Sequence, residues 1–282
     1  MIEKILLSIK TLPAFPVTIA RVTALLSDDD YSVNEVAKVI KYDQAIAANI
    51  LKISNSAYFG SRQKIKTISD AVIHLGQKQL IRAVQTAGVS RFFAGGGKGY
   101  GGRAKDLWEH SVAVAMMAQI LCRQIQGEDS GVLYTAALVH DIGKVVMGEF
   151  VQESSAKILH LVADHGLSFL EAENEVIGIN HAELGGRIAE YWNFPIEIRD
   201  AIAYHHRPDY FGGDGNDVMP FLVCLADQFC RMMGIDGGMD GLAHRGVSDA
   251  MTKFHLREAD LEKAWVSLLE ELEKARDVMQ IV

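Results

Sequence analysis

The sequence predicts an all-α protein built from two packed helical bundles. Apolar residues recur at helical spacing through most of the 282 residues, and no window shows the sustained apolar–polar alternation of a β-strand. Capping boxes precede two of the apolar segments, at Ser32-Val33-Asn34-Glu35 and Ser168-Phe169-Leu170-Glu171. The chain has only five prolines.

The first bundle is predicted to span residues 1–94. A rigid segment, Leu12-Pro13-Ala14-Phe15-Pro16, leads into its second helix, because each proline fixes its own φ and restricts the residue before it. Asn55-Ser56 should form a turn at a helix end, and we favour this structural role over ligand binding. Apolar spacing and capping residues predict helices at Ile2–Ser8, Val17–Leu26, Ser32–Ile40, Gln44–Ile53, Thr67–Gly76 and Gln77–Phe93.

A glycine-rich segment, Gly95–Gly102, separates this bundle from the rest of the chain. Such a segment can belong to a nucleotide-binding loop, but here no strand precedes it and no Gly-Lys-Ser/Thr follows it. We therefore expect a flexible linker that binds no nucleotide and is the first site of limited proteolysis.

The second bundle is predicted to span residues 103–282. Gly127 should end its first helix, and Asn193-Phe194-Pro195 should separate two later ones. The last helix is acidic and amphipathic, and should cover the core or form an interaction surface. After Lys105–Ile125 and the helix that ends at His140-Asp141, further helices are predicted at Glu149–Ala163, Ser168–Val176, Asn180–Tyr191, Pro195–His206, Val218–Met233 and Glu258–Met279, with loops at Arg207–Asn216 and Ile235–Gly246.

The residues most informative about chemistry are His140-Asp141-Ile142-Gly143-Lys144, which follow the apolar segment Val132–Val139. Imidazole and carboxylate ligands suit a divalent first-row metal. Gly143 permits close approach of another backbone or a ligand. Lys144 would share a helix face with His140 and could hold a phosphate as a point charge. From these residues alone, a metal site and a solvated His-Asp pair are equally good interpretations.

Further potential ligands occur on predicted helices before and after this pair. They are His110, His181, His205, His206 and Asp227. Adjacent helical side chains point about 100° apart, so His205 and His206 can reach one cluster only at a helix end. Asp227 lies on an apolar helix, where a metal or a basic partner would offset the cost of burying its carboxylate.

The other five histidines are predicted to have structural or surface roles, because we find no acidic or histidine neighbour in ligand register. They are His74, His160, His165, His244 and His255. Asp106, by contrast, precedes His110 by four residues and should lie on the same helix face.

The order of these residues resembles the HD superfamily of metal-dependent phosphohydrolases. The resemblance implies one divalent ion held by His110, His140, Asp141 and Asp227. In the two-metal branch of that superfamily the additional ligands would be His181, His205 and His206. It also implies iron or manganese as the cofactor, as one or two ions, and Asp141 and Lys144 as catalytic residues.

Three segments also resemble the signature of the HDOD domain, a bacterial signalling module related to the HD hydrolases. This resemblance covers roughly residues 12–230. One departure is Asp43-Gln44, where the family often has Asp-Pro. The three segments are Leu12-Pro13-Ala14-Phe15-Pro16, Ile50-Leu51-Lys52-Ile53-Ser54-Asn55-Ser56-Ala57 and Ala71-Val72-Ile73-His74-Leu75-Gly76.

Two functions are compatible with these resemblances. We favour a regulatory HDOD module that binds a signalling protein partner and retains a metal site in its HD-like half. The alternative is a metal-dependent phosphohydrolase similar to the HD-GYP cyclic dinucleotide phosphodiesterases, which would bind a phosphate-containing small ligand. Against the alternative, His205-His206 is followed by Arg207-Pro208-Asp209-Tyr210, with no Gly-Tyr-Pro.

The charge distribution argues against nucleic-acid binding, since the net charge is −8. Residues 1–98 contain 13 Lys and Arg against 7 Asp and Glu, whereas the remainder contains 15 against 29. The two halves could attract each other within one molecule, which we favour, or the basic half could meet an acidic partner.

The sequence also predicts a cytoplasmic protein that does not enter the membrane. Its longest apolar stretches, such as Val112–Cys122, fall short of the roughly 18 residues that cross a bilayer. The N-terminus has no signal-peptide pattern. Cys122, Cys224 and Cys230 make no CxxC motif, as expected of reduced, buried thiols.

Overall fold

The computed structural model describes residues 1–13, 15–26, 28, 30–56, 64–94, 98–127, 130–210, 218–236 and 251–275. In these ranges every regular element is helical, which confirms the all-α prediction. The helices are α1 (Ile2–Ile9), α2 (Val17–Leu26), α3 (Val33–Lys41), α4 (Gln44–Ser54), α5 (Ile68–Phe93), α6 (Ala104–Gln126), α7 (Gly131–Val139), α8 (Ile142–His165), α9 (Phe169–Ile177), α10 (His181–Tyr191), α11 (Ile196–Tyr204), α12 (Met219–Met232) and α13 (Glu258–Lys274), with a 3₁₀ turn at Pro208–Tyr210.

The chain divides into two compact units. The larger unit comprises Met1–Pro13 and Phe92–Leu268, and the smaller comprises Ala14–Arg91 and Leu269–Val282. We had expected residues 1–94 to form one bundle, but the first helix groups with the larger unit. The indole of Trp192 explains this grouping in part, because it donates a hydrogen bond to the carbonyl of Pro13.

The smaller unit contains α2, α3, α4 and most of α5. The side chain of Ser32 accepts a hydrogen bond from the backbone of Glu35, as predicted for the start of α3. Gly76 has a φ of 64° and interrupts α5, where the sequence predicts one helix to end and another to begin. Glycine adopts this left-handed backbone without the steric cost that other residues incur.

Asn55 has the structural role that the sequence predicts. At the end of α4 its side-chain amide donates to the carbonyls of Leu51 and Ile65, and its oxygen accepts from the backbone of Ile65. The side chain thereby ties the helix end to the segment before α5. Residues 57–60, the rest of the predicted turn, lie outside the described ranges.

The larger unit is organised around α6, which is buried from Leu107 to Cys122 except for Glu109. Helices α7 and α12 pack against α6. Helices α10 and α11 pack against each other; α10 also packs against α8, and α11 against α7. Gly127 ends α6 in the left-handed conformation, as predicted. The helix predicted to begin at Glu149 instead begins at Ile142, immediately after the His-Asp pair.

Other predictions for this part of the chain have mixed outcomes. All three cysteines are buried and form no disulfide. The last predicted helix is present over Glu258–Lys274, whereas residues 211–216 and 237–246 of the predicted loops lie outside the described ranges. Within those ranges, no helix has both the length and the apolar character needed to cross a membrane.

Candidate metal centre

All seven side chains predicted as metal ligands come together in the core of the larger unit. Six of them are at most 1% exposed, and only His206 is partly accessible. Helices α6, α10 and α12 supply His110, His181 and Asp227, respectively. His140 and Asp141 lie between α7 and α8, and His205 and His206 directly follow α11.

The carboxylate of Asp141 lies between two groups of ligands. Its Oδ1 is 3.7 Å from Nε2 of both His181 and His205. Its Oδ2 is 3.4 Å from Nε2 of His140 and 3.7 Å from Nε2 of His110. The first group comprises Asp141, His181, His205 and His206, and the second comprises His110, His140 and Asp227. Within each group, one potential ligand atom of each residue lies within 4.8 Å of those of the other residues.

The His-Asp pair is held by the short junction between two helices. Helix α7 ends at Val139 and α8 begins at Ile142, so both side chains are at helix ends. A Cβ atom at Gly143 would lie 1.9 Å from the carbonyl oxygen of His181. The glycine therefore permits the close backbone approach that the sequence indicates, and a larger residue would push the start of α10 away from Asp141.

Hydrogen bonds orient four of the imidazole rings. Nδ1 of His110 lies 2.7 Å from the carbonyl oxygen of Ile235, and Nδ1 of His140 lies 2.7 Å from that of Ala137. In His205 it lies 2.6 Å from the carbonyl of Ile202. A carbonyl only accepts, so Nδ1 must donate and a neutral ring presents the lone pair of Nε2 to the centre. In His181, Nδ1 is 2.7 Å from Glu173 instead.

Several inward-facing atoms lack the hydrogen bond that burial normally requires. They are Nε2 of His140 and His205 and Oδ1 of Asp141, whereas Nε2 of His110 lies 3.0 Å from Oδ1 of Asp227. Leaving such an atom buried without a partner costs about 1–3 kcal/mol. A divalent cation would satisfy these atoms together, and imidazoles with carboxylates form the donor set that first-row metals accept. The residues therefore fit a divalent metal.

The family model of the HDOD domain matches residues 12–208. The chain belongs to the HDOD domain family. Among solved structures, it resembles an HDOD domain protein of Geobacter sulfurreducens, with a TM-score of 0.74 and 25% identity over 96% of this chain and 93% of that one. A candidate phosphohydrolase of Shewanella amazonensis shares the fold, with a TM-score of 0.71 and 21% identity over 98% and 97% of the two chains.

Curated relatives of this HDOD protein are longer than the chain. A protein of Treponema pallidum (strain Nichols) is 24% identical over 70% of this chain and 38% of its own length. Ribonuclease Y of Thermus thermophilus is 31% identical over 44% of this chain and 16% of its own length. The HDOD chain thus spans less than half the length of either relative.

Two buried cations neutralise the carboxylates of the centre. Nζ of Lys144 lies 2.6 Å from Oδ2 of Asp141, and Nε of Arg231 lies 2.8 and 3.0 Å from the two oxygens of Asp227. We had expected Lys144 to share a helix with His140, but the two lie on either side of the helix junction. Arg231 was not predicted, although its position four residues after Asp227 on one helix could have indicated it.

The charges of the centre perturb the ionisation of its own side chains. Burial disfavours the charged forms of Asp141 and Asp227, but Lys144 and Arg231, respectively, outweigh it and hold the pKa of each carboxyl well below its usual range. Burial would also lower the pKa of His140, but the adjacent carboxylates raise it to about 9. A bound cation would replace the proton that this ring holds.

Sequence reasoning missed two further buried residues, Tyr100 and Glu173. Glu173 accepts a hydrogen bond from Tyr100 and another from the ring of His181. Residues 95–97 of the predicted linker lie outside the described ranges, but its later part is not the flexible chain that we expected, because Tyr100 is fully buried. A lone aromatic residue in a glycine-rich segment was the available signal.

The remaining histidines that the structure describes lie on the surface. They are His74, His160, His165 and His255. Contrary to our sequence analysis, His160 does have an acidic neighbour, Asp164, but both side chains are 62% exposed. Asp106 pairs with Arg103 rather than with His110. These residues therefore stay outside the metal centre.

A cleft of about 330 Å³ lies beside the centre and is lined by His206. Asn180, Tyr204 and Arg207 also line it. Nε2 of His206 is 2.8 Å from Nε2 of His181, so the residue links the cleft to the buried ligands. Since His206 is the one partly exposed member of the seven, solvent reaches the centre from this side.

We predict that Lys144→Met destabilises the metal-free protein by about 3–5 kcal/mol. The substitution removes the ammonium group on α8 that neutralises the buried carboxylate of Asp141. Urea unfolding in the presence of a chelator measures this change.

Arg187→Met is the matched control, since Arg187 pairs with Glu183 at 2.7 Å while the side chains are 44% and 48% exposed. This substitution should cost less than about 1 kcal/mol. Equal losses in the two variants would contradict the assigned role of Lys144.

Proposed function

We propose that this HDOD protein is a signalling module that holds one or two divalent ions, iron or manganese, and acts by binding a protein partner. The observation that carries the metal assignment is the convergence of seven imidazole and carboxylate side chains, six of them buried, on one centre. The signalling role is supported by family membership. A candidate signal transduction protein of Marinobacter aquaeolei VT8 has the same fold, with a TM-score of 0.74 and 20% identity, and this chain covers 60% of it.

The two ligand groups define two positions for a cation. His110, His140 and Asp227 would hold one ion and His181, His205 and His206 the other. Asp141 would contribute one carboxylate oxygen to each position, since its two oxygens face different groups. A divalent ion bound here would supply Lewis-acid chemistry and lower the pKa of a coordinated water.

Residues around the centre orient the proposed ligands and offset their charge. Backbone carbonyls fix the rings of His110, His140 and His205, so little reorganisation is needed when their Nε2 atoms become ligands. Lys144 offsets charge on Asp141 and lies 5.6 Å from the ring centre of Tyr100. Placed there, it could also neutralise an oxygen of a bound phosphate.

A second candidate function is hydrolysis of a small phosphate ester. The cleft beside His206 favours it, because a ligand there would reach the partly exposed side of the centre. Its volume of about 330 Å³ lies at the small end of ligand sites, which favours a compact ester over a cyclic dinucleotide. The absence of Gly-Tyr-Pro after His206 supports the same preference.

Two observations support the proposal of signalling over hydrolysis. The carboxylates of Asp141 and Asp227 are already paired with buried cations, which reduces the charge that would draw in a second metal ion. The match to ribonuclease Y spans 16% of that enzyme, whose name assigns it an RNA substrate. The net charge of −8 disfavours binding of RNA by the present chain.

Protein purified from cells supplied with iron and manganese should contain at least about one divalent ion per chain. In the double variant His140→Ala, Asp141→Ala the content should fall well below one, because both groups lose ligands. Elemental analysis by inductively coupled plasma mass spectrometry provides the measurement.

The matched control removes the exposed His-Asp pair at His160 and Asp164, which has the same residue types. Its metal content should equal that of the wild type. A wild-type content well below one, unchanged in the His140 and Asp141 variant, would refute the metal assignment.

The hydrolytic candidate is tested with bis-p-nitrophenyl phosphate and cyclic di-GMP. We expect slow turnover of the activated ester that Asp141→Ala abolishes. Cyclic di-GMP should be cleaved far more slowly than about 1 per second. Loss of substrate positioning, which can contribute about 7–11 kcal/mol, is the physical reason. Turnover of cyclic di-GMP near 1 per second that depends on Asp141 would instead make this protein a phosphodiesterase.

A further inference from the structure

The side chain of Tyr100 extends from the glycine-rich segment into the core. It is fully buried, and its hydroxyl donates a 2.5 Å hydrogen bond to Oε1 of Glu173. Its ring packs 5.7 Å from that of Phe169 and meets the ring of His181 edge-on at 6.1 Å. A buried tyrosine hydroxyl needs such a partner, because water cannot reach it.

Glu173 joins Tyr100 to a candidate metal ligand. This carboxylate is fully buried on α9, and its Oε2 accepts from both Nδ1 and the backbone amide of His181, at 2.7 and 3.0 Å. The first bond keeps the proton of the neutral ring on Nδ1 and leaves the lone pair of Nε2 facing Asp141 and His206. The second holds the first residue of α10 in place.

A close backbone contact holds Tyr100 in its position. Gly99 has a φ of 87°, and a Cβ atom there would lie 2.2 Å from the carbonyl oxygen of Gly148. A Cβ atom at Gly148 would in turn lie 2.5 Å from the carbonyl oxygen of Lys98. Both sites therefore require glycine, and their close contact packs the segment before Tyr100 against α8.

We propose that Tyr100, acting through Glu173, is a positioning residue for His181 and sets the affinity of the Asp141, His181, His205 and His206 group for its cation. The proposal rests on the metal centre proposed above. Carboxylates that orient a histidine ligand typically change metal affinity 10–100-fold when removed. Tyr100 restrains the orientation of such a carboxylate. The group of His110, His140 and Asp227 has no hydrogen bond to Glu173 and should keep its affinity.

The first test is titration of the metal-free, full-length protein with Mn²⁺ and a competing chelator. In both Tyr100→Phe and Glu173→Gln, the affinity of the His181 group should fall 10–100-fold. Phe169→Leu is the control for packing, because it removes the ring beside Tyr100 and leaves the hydrogen bonds. This control should bind Mn²⁺ as the wild type does.

The second test does not depend on a metal. Nitrogen-15 NMR of labelled histidines in the metal-free protein should show His181 with its proton on Nδ1 in the wild type and in Phe169→Leu. A mixture of tautomers is expected in Tyr100→Phe.

The outcomes separate this inference from the function it rests on. Wild-type affinity and an unchanged His181 tautomer in Tyr100→Phe would overturn the positioning role. Equal losses in Tyr100→Phe and Phe169→Leu would also overturn it, by showing a packing effect alone. Absence of Mn²⁺ binding by the wild type, with the tautomer still dependent on Tyr100, would overturn the metal centre and leave the positioning of His181 standing.

Discussion

The larger unit depends on keeping the carboxylate of Asp141 buried between imidazoles at the junction of α7 and α8. Removing an ion from water is costly unless other charges and hydrogen bonds replace its hydration. Lys144 supplies one of these charges at 2.6 Å, and the surrounding Nε2 atoms lie 3.4–3.7 Å away. The helices must therefore meet at this point, and Gly143 permits it because no Cβ atom separates α8 from α10.

The same burial limits what the site can do. Six of the seven predicted ligands are inaccessible, and the cleft at His206 is the approach to the centre. In the proposed function, an ion held at this site would stabilise the bundle. A substrate would have to react from the side of His206, with Lys144 already paired to Asp141. This geometry is the physical basis for placing regulation ahead of turnover.

The sequence predicts much of this structure because local signals and ligand chemistry are both explicit in it. Side-chain caps at Ser32, Ser168 and Asn180 mark helix starts, and the seven predicted ligands share a chemical type that is rare in an apolar core. Tyr100 and Glu173 could not be predicted in the same way, since their roles arise from tertiary contacts between distant segments. The grouping of the first helix with the larger unit depends likewise on Trp192, far along the chain.

Anomalous diffraction from crystals soaked in Mn²⁺ tests whether a cation binds beside Asp141, because it locates the ion relative to this carboxylate. The proposed metal centre predicts a peak within coordination distance of a carboxylate oxygen of Asp141, with Nε2 atoms of the neighbouring histidines completing the shell. When both groups are occupied, a second peak should lie on the opposite side of the same carboxylate. Crystals that show peaks only at surface carboxylates, with none beside Asp141, would contradict it.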